Sequence, residues 1–136
     1  MHKFPITEYK KFDQLPLDKL NALNFSIYVL DFDWNYLFVN DFVKKNLGQR
    51  GEGLIGKNMW KEFPELAADA SFSELRKKLD KRIVVNMITV SPVNSQRLNV
   101  VGYPLDDCLY FTASVLPDKA DLMQELRNEL KKKSKS

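Results

Sequence analysis

The sequence predicts an α+β domain, an antiparallel sheet with its helices gathered on one side. Apolar runs of β-favouring residues stand both before and after a helix-patterned stretch, so the strands are split around a helical insert. At Ile83 the spacing of apolar residues changes from helix-like to strand-like and stays so to Leu116.

Each element follows from local chemistry. Residues Met1 to Gln14 form a mixed flanking segment in which Phe4, Ile6, Tyr9 and Phe12 are anchors. Asp18 is placed to cap a short helix that carries Leu20 and Leu23 on one face. Ile27-Tyr28-Val29-Leu30 and Tyr36-Leu37-Phe38-Val39 read as a hairpin turned by Asp31, Asp33 and Asn35. Asn40 or Asp41 caps a helix to Leu47, where Gly48 can end it. Leu54 to Glu65 keeps helical spacing up to Pro64, and Phe72, Leu75 and Leu79 mark the next helix, capped by Ser71. Three strands follow: Ile83 to Val90, a strand around Leu98, Val100 and Gly102, and Leu109 to Leu116. They are separated by turns at Pro92–Ser95 and Pro104–Asp107. Asp118 then caps a last helix with Leu122, Met123, Leu126 and Leu130 on one stripe.

The 136 residues fit one domain. Four lysines in the last six residues form a solvated tail, and without them 17 basic side chains face 18 acidic ones. No basic face for nucleic acid emerges, and no apolar run approaches a membrane span. A cytoplasmic protein is therefore expected, binding neither nucleic acid nor membrane. One cysteine, Cys108, and one histidine, His2, are too few for a disulfide framework or a multi-His metal site.

Four stretches in this order carry a family resemblance: Ile27–Asp31 (IYVLD), Tyr36–Asn40 (YLFVN), Leu54–Glu65 (LIGKNMWKEFPE) and Val101–Phe111 (VGYPLDDCLYF). The chain resembles the bacterial PAS sensory domain over residues 18 to 116, with residues 1–17 as an N-terminal flank and 117–136 as a C-terminal helix and basic tail. The resemblance implies a five-stranded sheet in the order 2-1-5-4-3, helices enclosing a cavity on one face, and a structural role for Asn40. It implies a sensory or protein-interaction module, without catalysis, that dimerises and talks to a signalling partner. Two departures stand out. Gln96-Arg97-Leu98-Asn99 replaces the Trp-Phe pair often found in the fourth strand. Thr112–Leu116 lacks the aspartate of the motif that couples the last strand to an effector.

Cofactor chemistries of the family fit poorly. Haem ligation through histidine needs one on the long central helix, and the chain has only His2. Cysteinyl-flavin chemistry needs a cysteine in an Asn-Cys-Arg-Phe-Leu-Gln helix, whereas Cys108 opens the last strand. No cofactor is expected, and the ligand, if any, is an unnamed small molecule. Asp31/Asp33 and Asp106/Asp107 are turn formers, and no base accompanies Cys108.

Period-two logic gathers Tyr28, Leu30, Phe38, Leu98, Val100, Phe111 and Ala113 on one sheet face. Met59, Trp60, Phe63, Phe72 and Leu75 roof it. Such a surface encloses either a ligand pocket or a core filled by its own aromatics. The other face exposes Ile27, Val29 and Tyr110, to be covered by the trailing helix (Leu122, Met123, Leu126) or by a second copy.

Overall fold

A computed structural model describes residues 9–117 and 119–134. Its five strands are β1 (Ser26–Leu30), β2 (Tyr36–Val39), β3 (Val85–Val90), β4 (Arg97–Pro104) and β5 (Leu109–Val115). They form one antiparallel sheet in the order β2-β1-β5-β4-β3. The helices are α1 (Leu17–Asn21), α2 (Asp41–Leu47), α3 (Met59–Glu62), α4 (Pro64–Ala67), α5 (Ala70–Asp80) and α6 (Lys119–Ser134). The predicted α+β class and strand order are those observed.

Several element ends differ from expectation. Asp69, not Ser71, caps α5 by accepting from the Phe72 N–H. Pro16 precedes α1, so Asp18 lies within its first turn. Pro64 ends α3 and also opens α4, because a proline at the first helical position gives up no needed N–H. Asp118, the expected cap of α6, lies outside the described residues, as do Phe4, Ile6 and His2.

Asn40 is wholly buried and spends its side chain on four backbone groups. Its Oδ1 accepts from the N–H of Ile27 at 3.2 Å and of Val43 at 3.1 Å. Its Nδ2 donates to the carbonyls of Leu20 at 3.0 Å and Phe25 at 2.9 Å. The end of α1, the entry to β1 and the start of α2 therefore meet on one amide.

The sheet separates two apolar clusters. On the inner face Leu30, Tyr36, Val39, Val100, Phe111 and Ala113 pack under α2–α5. On the outer face Ile27, Val29 and Tyr110 are buried against Leu15, Leu20, Leu105 and Cys108, with Tyr9, Phe12 and Leu17 around them. This corrects the expected cover. The outer half-face over β1 and β5 is covered by the chain's own residues 9–25, so Ile27, Val29 and Tyr110 are already buried within one chain. The cover is anchored to the β4–β5 turn. The Asp106 N–H donates to the Lys10 carbonyl at 2.7 Å, and the Phe12 N–H to Asp107 Oδ1 at 2.9 Å. Asp107 is thus a tether. Met123 and Leu126 of α6 are exposed, and the side chain of Leu122 lies outside the described residues.

A second correction concerns Phe38. Val29 pairs with Phe38, but Leu30 pairs with Tyr36, so two residues of β2 oppose one step of β1. This bulge leaves both Leu37 and Phe38 on the outer side and turns Tyr36 inward.

Gly102 sits on the inner face where Leu79 of α5 and the Phe111 ring both press on the backbone. A Cβ there would lie 2.9 Å from each. Replacing Gly102 with alanine should destabilise the domain by about 1–3 kcal/mol through overpacking, read as a lower urea midpoint. Asn40→Ala should cost about 3 kcal/mol, since it removes a helix cap and strands buried backbone groups. Equilibrium unfolding monitored by circular dichroism checks both.

Candidate functional site

At one end of the inner face a cavity of about 80 Å³ remains between sheet and helices, room for several waters or a small organic molecule. Its floor is Ser26 and Tyr28 of β1, Tyr36 of β2, Leu98 and Val100 of β4 and Ala113 of β5. Its roof is Val43, Asn46 and Leu47 of α2, Met59, Phe63, Leu66 and Phe72. Ser91, Val93 and Asn94 of the β3–β4 turn form the mouth. Alternation along β4 and β5 brings Leu98, Val100 and Ala113 to one wall, since Leu98 pairs with Val115 and Val100 with Ala113.

Of the residues expected at the pocket, Tyr28, Met59, Phe63, Phe72, Leu98, Val100 and Ala113 line it. Leu30, Trp60, Leu75 and Phe111 lie in the same inner-face cluster but fill its other end instead of facing the cavity. There Phe111 stacks on Tyr28 with centroids 4.9 Å apart, Trp34 leans on Phe111 at 5.9 Å, and Trp60 packs on Trp34 at 5.1 Å. Phe38 is on the opposite side of the sheet, and Tyr36 takes its place.

The lining is apolar with polar points and no charged side chain. Tyr28 and Tyr36 face each other with centroids 6.2 Å apart. Burial pushes both phenols well above their usual range, and for Tyr36 the neighbouring Tyr28 adds to the effect of burial. Both therefore stay protonated at neutral pH, as donors and acceptors facing the cavity. At the mouth Asn46 Nδ2 donates to Gln96 Oε1 at 3.0 Å, joining α2 to the β3–β4 turn. Asn94 Nδ2 donates to the same oxygen at 3.0 Å.

Arg50 holds the roof from outside. Its guanidinium pairs with Glu65, donates to the Glu62 carbonyl at 3.0 Å and lies 4.6 Å from the centre of the Phe63 ring. The hydrogen bond from Arg50 also holds the Glu65 carboxyl below its usual range. Cys108 lies in the outer-face cluster, on the far side of the sheet from the cavity. Burial foremost, with Asp107 beside it, pushes its thiol up to about 12. Among the described residues no cluster of three His, Cys, Asp or Glu side chains is placed to hold a metal. No described helix is long and apolar enough to cross a membrane.

No protein-family model and no curated protein matches the sequence. Solved structures do match. The PAS domain of Bordetella pertussis BvgS is similar at 17% identity and a TM-score of 0.59, spanning 88% of this chain and 98% of that one. The photoactive yellow protein domain of the sensor histidine kinase Ppr from Rhodospirillum centenum matches at 16% identity and a TM-score of 0.60, over 74% and 94%. The Cronobacter turicensis RpfR quorum-sensing receptor PAS domain, solved with BDSF, matches at 14% identity and a TM-score of 0.54, over 71% and 97%. Together with the strand order and the helical roof, these likenesses establish that the chain has the PAS fold.

Proposed function

We propose that the chain is a non-catalytic sensory module. It takes an uncharged small molecule into the inner-face cavity and passes on its occupancy through self-association and its flanking helices to a signalling partner. The observation that carries this reading is the lining itself, apolar walls with two protonated phenols and an amide rim. With no Lys, Arg, Asp, Glu or His on the wall, a charged ligand would lose its hydration without a counter-ion. The neighbours support a sensory role, since one is a receptor domain bound to BDSF and another belongs to a sensor kinase. Cys108, held as a thiol away from the cavity, is unsuited to nucleophilic chemistry there. A ligand acts on the flanking helices only through its difference in affinity between two arrangements.

The aromatic stack of Tyr28, Phe111, Trp34 and Trp60 favours a second reading, a structural interaction module whose interior needs no ligand. Native mass spectrometry of the protein as purified, with thermal melts against phenol, cyclohexanol and benzoate, separates the two. The expected outcome is stabilisation by the neutral compounds and none by benzoate, with the effect lost in Ala113→Leu, which fills the cavity. No retained molecule and no shift with any neutral probe would favour the filled module.

A further inference from the structure

The two edges of the sheet are treated differently. The β2 edge is capped by the chain itself at its first residue, Tyr36. Tyr36 N–H donates to the Lys57 carbonyl at 2.9 Å, and Gly56 N–H donates to the Tyr36 carbonyl at 2.8 Å. The β3 edge has no such cover among the described residues. It is also unprotected by sequence. β3 pairs with β4 in unbroken register, without a bulge, and no charged residue or proline occurs from Ile83 to Val90. Bare edges of this kind are normally blunted by lysine, proline or a bulge, because they template pairing with another chain. Val84, Ile88 and Val90 are each more than half exposed along it.

The groove beside this edge points to the occupant. It has an open volume of about 490 Å³ between α5 and β3 and is flanked by Glu74 and Lys78, one helical turn apart. Neither has an ion-pair partner among the described residues. A flank carrying one acid and one base a turn apart is complementary to its own image about a two-fold axis, which brings Glu74 of each copy toward Lys78 of the other. Val84 and Ile88 belong to the same outward register, and they oppose each other across copies only when the axis passes at Asn86. There the two Asn86 side chains meet; each Oδ1 already accepts from Asn99 Nδ2 of its own chain at 2.8 Å, which leaves Nδ2 to donate across the axis.

We infer that β3 pairs antiparallel with β3 of a second copy about a two-fold axis at Asn86, making one continuous sheet through the dimer. This rests on the reading that the chain self-associates, and it moves the contact away from Ile27, Val29 and Tyr110.

Sedimentation of the full chain at about 10–100 µM should show a dimer. Ile88→Lys, at an exposed site that leaves the fold intact by circular dichroism, should weaken it at least about tenfold. Glu74→Lys should weaken it, and adding Lys78→Glu should restore it. Asn86→Cys should form a disulfide-linked dimer under mild oxidation, whereas Val90→Cys should not. A wild-type chain that stays monomeric overturns the proposal, as does a dimer indifferent to Ile88→Lys but broken by Leu126→Glu in α6. The phenol shift of the Ile88→Lys variant keeps the two readings apart, because cavity binding survives if only the interface proposal fails.

Discussion

A single buried amide joins the two sides of this sheet. Through Leu20 and Phe25 Asn40 holds the segment that covers the outer face, and through Val43 it starts the helix that roofs the inner one. The same oxygen also accepts from Ile27, within the first strand. Cover, sheet and roof are therefore positioned by one side chain in a dry environment, where an unmet hydrogen bond is costly. The cavity exists because α2 is set at a fixed distance above β1. That distance is set at Asn40.

Once the outer half-face is closed, the surface open to other molecules changes place. Tyr9, Phe12 and Leu15 lie over Ile27, Val29 and Tyr110, and backbone and carboxylate contacts from Asp106 and Asp107 hold that cover down. Apart from Ile55 and Val115, the large apolar residues that remain in water among the described residues lie on β3 and the two residues before it and along α6. Cavity mouth and bare strand are adjacent in the chain, since the β3–β4 turn that carries Ser91, Val93 and Asn94 follows directly on β3.

Much of this was legible in the sequence, for physical reasons that differ by element. The class follows from period-two and helical spacing, which burial on one face imposes directly, whereas the strand order is what the resemblance to the PAS domain implies. Leu98, Val100 and Ala113 were found at the cavity because β4 and β5 alternate without interruption. Phe38 was misplaced because a bulge shifts parity by one residue and leaves no mark on hydrophobic spacing. The same bulge is why Tyr36 faces inward while Phe38, two residues on, does not. The cover over Ile27 and Val29 was unreadable because residues 9–25 carry their apolar side chains at irregular intervals in short helical turns. Tyr9 and Phe12 nonetheless stood out as anchors.

The missing side chain at position 102 has a mechanical consequence. With Leu79 seated directly on the backbone of β4, α5 has no slack to slide or lift over that end of the sheet. At the opposite end, α2 and the β3–β4 turn are joined across the opening by side-chain amides, Asn46 to Gln96, that can exchange partners with water. Any swelling of the interior is thus taken up at one end only. The domain behaves as a hinged jaw, stiff at Leu79 and compliant at Asn46.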